Sequence, residues 1–258
     1  MSSDSLFNAI VFLIIFRFFM ENLLEWLNYK NLEKQIPPAL SDVYEPERYR
    51  KFLAYEKAGA KMALMESVFS TMAIVVVLYL GGFGWLDTFL RGYFTHPLIL
   101  TLLFFGIAGF ASEIAGIPFE WYNVFVIEKK FGFTTMTRKT FVTDKLKSWF
   151  LAVLLGGAVL ALICWLFLVF KSWFWIFALA VVVLFGVVMN FFYSTVIVPL
   201  FNKQVPLGNG ELRDALTVFF HRINFNFRQI FIIDGSKRSL KAKDRKSTRL
   251  NSSHRIRS

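Results

Sequence analysis

Apolar residues in this chain run in blocks rather than alternating, and five blocks are long enough to span a hydrocarbon core of roughly 30 Å, which takes about 20 helical residues. They cover residues 6–27, 62–83, 97–117, 149–170 and 173–199. Gly81, Gly82 and Gly84 close the second block; Pro97 opens the third at a position that suits a first helical turn, and Pro118 follows its end. Only Lys171 and Ser172 separate the last two, so these form an antiparallel hairpin. Trp149, Trp165, Trp173 and Trp175 fall toward the ends of these two runs, where indole rings favour the membrane interface. The first block opens with serines and Asp4 instead of a basic segment, and no small-residue cleavage site follows it. A retained first helix is expected, not a signal peptide.

After Phe201 the pattern changes to a soluble type. Pro206–Gly210 reads as a turn, and Leu212, Ala215, Leu216, Phe219, Phe220 and Ile223 repeat at helical spacing across 211–223. Gln229–Ile233 reads as a short strand closed by Asp234 and Gly235. One helix and one strand cannot bury a core alone, so this piece is expected to begin a domain. The fold class is an all-α membrane protein, five transmembrane helices followed by a short α-β cytoplasmic piece.

Charge gives the direction. Of 258 residues 56% are hydrophobic and 18% charged, and the net charge of +11 sits mostly in Ser236–Ser258, which holds nine of the 29 Lys and Arg residues and one of the 18 acids. The body is close to balanced, which argues against a nucleic-acid partner. The loop between the first two blocks is basic (Lys30, Lys34, Arg48, Arg50, Lys51, Lys57, Lys61), and so is the third (Lys129, Lys130, Arg138, Lys139, Lys145, Lys147). The loops between them carry only Arg91 and Lys171. Alternation of this kind puts the N-terminus outside and the C-terminal part in the cytoplasm. The expected location is a bacterial inner membrane, with the lipid bilayer as partner.

Candidate chemistry is sparse. Cys164 is the single cysteine and only three histidines are present, which excludes an intramolecular disulfide and a Cys-rich zinc finger. No nucleotide-binding glycine fingerprint, Walker motif, nucleophile elbow, EF-hand or His-Glu-x-x-His stands in the sequence. No catalytic residue and no metal ligand is assigned. Carboxylates inside membrane spans are costly unless paired or hydrated. Glu113 lies in the third span and Glu120 follows seven residues later on nearly the same face. They line a water-filled cavity or pair with a basic side chain of another helix. Asn190 and Tyr193 in the fifth span are helix-to-helix hydrogen-bonding groups or cavity lining. Glu113, Glu120 and Asn190 are the candidate chamber-lining residues. Arg17, Glu21 and Glu25 are spaced for a ladder on one helix face, and His221 has no second ligand near it in sequence. Gly106, Gly109 and Gly116 could allow close helix packing or a break.

Longer strings are more specific. Ile117-Pro-Phe-Glu-Trp-Tyr-Asn-Val-Phe-Val-Ile-Glu-Lys-Lys-Phe-Gly-Phe133 resembles the loop after the third helix of the CAAX prenyl protease 1 family. Pro199-Leu-Phe-Asn-Lys203, with Pro206-Leu207 and Gly210-Glu-Leu-Arg213, is similar to that family's segment after its fifth helix. Asp234-Gly-Ser-Lys-Arg-Ser239 is similar to the stretch leading toward its catalytic core, and Lys51–Lys61 is a weaker match. The resemblance implies an integral-membrane zinc metalloendopeptidase whose helices enclose a chamber and whose substrates are prenylated or membrane-associated peptides. It implies residues 1–201 as the five-helix membrane domain and 202–239 as the start of the catalytic domain. Zinc, in that family, is held by His-Glu-x-x-His and a distant Glu, none of which this chain supplies. The fragment is therefore expected to bind no zinc and to be inactive alone. Residues 240–258, few in apolar groups, are expected to be a disordered, non-native tail. The alternative is a complete non-enzymatic five-helix membrane protein such as a small-solute transporter or an assembly factor.

Overall fold

A computed structural model describes residues 3–31, 46–224, 229–233, 235 and 238. The expected tail, 240–258, lies outside the described residues, as do Lys34, Asp234 and Ser239. The chain divides into two compact units, Met1–Thr134 and Thr135–Ser258. Among the described residues four helical stretches are long and apolar enough to cross a membrane: Asp4–Lys30, Pro46–Tyr79, Pro97–Glu128 and Arg138–Phe201. The last has 64 residues and folds back on itself at Lys171–Trp173, so it makes two crossings. The hairpin expected from the short polar link is present.

The first unit contains α1 (Ser3–Lys30), α2 (Pro46–Tyr79), α3 (Gly82–Arg91) and α4 (Pro97–Tyr122), and α4 continues as a π-helical turn over Asn123–Glu128. At 34 residues, α2 is roughly 50 Å long, so its charged first turns extend beyond the apolar run. It stops at Tyr79 because Gly81 takes a left-handed φ of 68°, which reverses the chain into α3. Residues 84–91, expected as loop, thus belong to a helix. Its Phe83 and Leu90 face inward, Phe83 against Phe104 of α4 and Leu90 only 3% exposed.

Pro118 does not end the third span, as expected from sequence, and Gly106, Gly109 and Gly116 do not break it. The helix passes through all four and runs eleven residues beyond Ile117. A proline costs a membrane helix little when neighbouring groups take up the freed carbonyl. The segment 117–133 is therefore helix and turn, not loop. Gly132, at φ 70°, makes the turn that returns Phe133 N–H to the Glu128 carbonyl at 2.8 Å.

Helix α1 packs on α2 through Asn22, whose Nδ2 donates to Ser67 Oγ at 3.0 Å, and through an edge-on contact of Phe7 with Tyr79. Helix α2 meets α4 at Phe69 and Phe119. Met62, Ile127 and Phe131 form the buried cluster of this unit, with Tyr55, Ala58, Phe119 and Phe133 around it.

The second unit begins with α5 (Arg138–Leu151), which Thr137 caps by accepting from Thr140 N–H at 3.1 Å. A π-helical turn, Ala152–Gly156, leads into α6 (Gly157–Phe170), and α7 (Phe174–Phe192) returns against it with Phe170 stacked on Phe177 at 4.1 Å. Another π-helical turn, Tyr193–Ile197, leads to α8 (Val198–Phe201). Beyond it β1 (Gln204–Pro206) pairs antiparallel with β2 (Phe231–Ile233), with Val205 opposite Ile232, and α9 (Glu211–Arg222) lies between them in sequence. The helix and the second strand match the expected positions to within two residues. Strand β1 was not expected, because three residues ending in proline carry no alternation to read.

Candidate functional site

Polar groups at membrane depth are the first place to look. Glu113 is exposed and Glu120 half-buried on α4, two turns apart, and both have interactions within the chain. Asn190 is exposed on α7 in the other unit, one turn before the π-helical segment that begins at Tyr193. A fourth group was missed from sequence. Glu66 sits inside the second apolar run on α2, next to Ser67, and its side chain is exposed with no ion-pair partner among the described residues. The signal was present, since a lone carboxylate interrupts an apolar stretch there. Of the expected ladder, Arg17 Nε donates to Glu21 Oε1 at 2.8 Å with both side chains more than half exposed, while Glu25 is turned to a different neighbourhood.

The strings quoted above pack on one another within each unit. In the first, Ile127 and Phe131 meet Tyr55, whose ring lies edge-on to Phe131 at 5.5 Å and to Phe133 at 4.9 Å. Lys51 extends over the Phe133 ring at 5.4 Å. The weaker N-terminal match and the Ile117–Phe133 string are therefore two sides of one contact.

In the second unit Arg238 is the junction. Its Nε and Nη2 donate to the two oxygens of Asp144 at 2.7 and 2.9 Å, and its Nη1 donates to Asn202 Oδ1. Its carbonyl accepts from Thr135 N–H at 3.3 Å. Two further bonds tie the same region together: Lys147 Nζ to the Leu200 carbonyl at 2.8 Å, and Gln204 Nε2 to the Ser194 carbonyl at 3.0 Å. The pKa of Arg238 is raised, chiefly by its hydrogen bond to Asp144; partial burial lowers it and the carboxylate charge raises it further. Asp144 and Asn202 were not singled out from sequence. The clue for Asp144 was a single acid among Arg138, Lys139, Lys145 and Lys147.

A zinc ion is what the resemblance implies. Among the described residues no three His, Cys, Asp or Glu side chains come together, so these residues do not fit one. His221, at the exposed end of α9, has no second ligand in that sense.

Comparison with known proteins places these features. Residues 25–203 match the family described as CAAX prenyl protease N-terminal, five membrane helices. The chain is similar to CAAX prenyl protease 1 of Saccharomyces cerevisiae, 30% identical over 236 residues, which are 87% of this chain and 52% of that protein. It is similar to the CAAX prenyl protease 1 homolog of Homo sapiens, 27% identical over 212 residues, 79% of this chain and 44% of the human one. The crystal structure of S. mikatae Ste24p superposes with a TM-score of 0.83 at 30% identity, covering 90% of this chain and 56% of that one. The chain spans about half the length of the relatives it matches.

Proposed function

Because this chain belongs to the CAAX prenyl protease 1 family, we propose that residues 1–201 form the membrane wall of a peptidase chamber and that 202–239 begin its catalytic domain. Hydrolysis of a prenylated or membrane-associated peptide then requires a zinc-holding His-Glu-x-x-His segment, which this sequence does not contain. The chain alone binds the membrane and holds substrate space, without catalysis. Glu66, Glu113 and Glu120 in the first unit, and Asn190 in the second, are each assigned hydrated surroundings, because a polar side chain at membrane depth is costly against lipid. The N-terminus lies outside and Arg238 on the cytoplasmic side, as the basic loops require. The relatives named above come from eukaryotes, so they lend no support to a bacterial inner membrane.

The observation that carries this reading is the match of fold and sequence together, a TM-score of 0.83 at 30% identity over 90% of the chain. The test is a chimera joining this chain through Arg238 to the remainder of the S. cerevisiae relative, assayed in proteoliposomes on a farnesylated peptide. Chelator-sensitive cleavage by the chimera and none by the 258-residue chain is expected. Cleavage by the chain alone, or solute transport by it, overturns the reading.

A further inference from the structure

A cleft of about 340 Å³ opens between α1 and α2 within the first unit. Asn22, Glu25, Trp26 and Tyr29 line it from α1, and Lys57 and Lys61 from α2. Each set has helical spacing, so each side of the cleft is one helix face. Space is left because Ala60 stands between the two lysines where a larger side chain would fill the gap. The hydrogen bond from Asn22 to Ser67 closes the helix pair on the apolar side.

Depth gives the cleft its meaning. The apolar run of α1 ends at Leu27 and that of α2 begins at Met62, so the lining residues straddle the level where hydrocarbon gives way to water. Trp26 and Tyr29 are 54% and 43% exposed at that level, where aromatic rings contact lipid esters and headgroups. Leu64, further in, offers an apolar wall for an acyl chain. Lys57 and Lys61, one turn apart, have no ion-pair partner among the described residues. Lys30 is already placed over the Trp26 ring at 5.1 Å. Two neighbouring ammonium groups suit a phosphate, for which lysine acts as a point charge. Glu25 on the opposite wall disfavours a second anion and suits a cation.

We infer that this cleft binds one phospholipid of the adjacent leaflet, its phosphate held by Lys57 and Lys61 and its primary ammonium by Glu25, as in phosphatidylethanolamine. Each charge of that zwitterionic headgroup then faces an opposite charge of the cleft, the single negative charge of the phosphodiester shared by the two lysines and the ammonium set against Glu25. A headgroup without the amine offers Glu25 neither a cation nor a donor, and a quaternary amine cannot donate a hydrogen bond to it. The site does not depend on the peptidase reading, and its test has no catalytic readout.

The full 258-residue chain, purified in detergent and freed of lipid, is mixed with phosphatidylethanolamine, phosphatidylglycerol, phosphatidylcholine or inorganic phosphate, and retained adducts are counted by native mass spectrometry. Phosphatidylethanolamine is expected to bind best and inorganic phosphate not to be retained. The K57A/K61A double variant should lose about 30-fold in affinity for it, whereas K57R/K61R should retain it. Glu25→Gln should abolish the preference for phosphatidylethanolamine over phosphatidylglycerol while leaving phosphatidylglycerol bound. This arm removes no apolar contact, so it decides the matter even where the double variant does not fold. Equal binding of all three lipids, a preference for phosphatidylglycerol, retention of free phosphate in the lipid's place, or Glu25→Gln behaving as wild type overturns the inference.

Discussion

Arg238 and Asp144 are held together by two parallel hydrogen bonds across 94 residues of chain, with side chains 22% and 18% exposed. The contact joins the segment after β2 to the first turns of α5, and through Asn202 it also reaches the end of the fifth crossing. An exposed ion pair contributes little, but a largely buried bidentate one with a third bond to the same guanidinium is stronger. Among the described residues, this one guanidinium joins three separate segments of the second unit.

Asp144→Asn keeps the shape and removes the charge, and Arg238→Lys keeps the charge and removes the fork. Each should cost about 1–3 kcal/mol, read as faster hydrogen exchange at the Thr135 amide, which donates to the Arg238 carbonyl. Exchange at the buried Met62 cluster should not change. A cation with a raised folded pKa keeps its full stabilisation below the ordinary arginine value and loses it only as pH climbs past the raised one. Titration of Arg238 should therefore contribute no pH dependence in the neutral range.

Lys171 turns the hairpin with φ 47° and ψ −106°, a conformation that a side chain disfavours and glycine adopts freely. Lys171→Gly should raise the thermal midpoint of the detergent-solubilised protein, by the equivalent of about 1 kcal/mol. A lowered midpoint would show that the lysine side chain stabilises the turn.

Two glycines should respond in opposite directions. Gly132 has φ 70° and its turn sets Phe131 and Phe133 on Tyr55, so Gly132→Ala should destabilise by about 1–2 kcal/mol. At Gly109, inside α4, an added Cβ meets no atom within 4 Å, and Gly109→Ala should stabilise by about 0.5–1 kcal/mol. Paired thermal melts measure both. Equal effects would contradict the role assigned to the Gly132 turn.

Water access distinguishes the proposed chamber-lining positions from lipid-facing ones. In a Cys164→Ser background, cysteines placed at Glu66, Glu113 and Asn190 should react with a membrane-impermeant maleimide in proteoliposomes, while one at Val183, an apolar exposed position of α7, should not. Three unreactive sites would remove the basis for assigning these residues hydrated surroundings.

By itself the sequence determined that this chain lies in a membrane and crosses it five times, because crossing demands long apolar runs and the charged links between them are read without knowing any contact. It also pointed to the family, since Ile117–Phe133 and Asp234–Ser239 are recognisable as strings. Helix ends were less legible: Pro118 and Gly109 have helix-breaking propensity, but propensity is local and the surroundings of α4 override it. Tertiary structure alone decided which residues meet. Nothing in the spacing of Asp144, Asn202 and Arg238 forecasts their bonds, nor that Lys57 and Lys61 would face Glu25 over an open cleft. Such pairings depend on how separate helices are rotated about their axes, and that rotation is fixed by packing between elements rather than by periodicity within one.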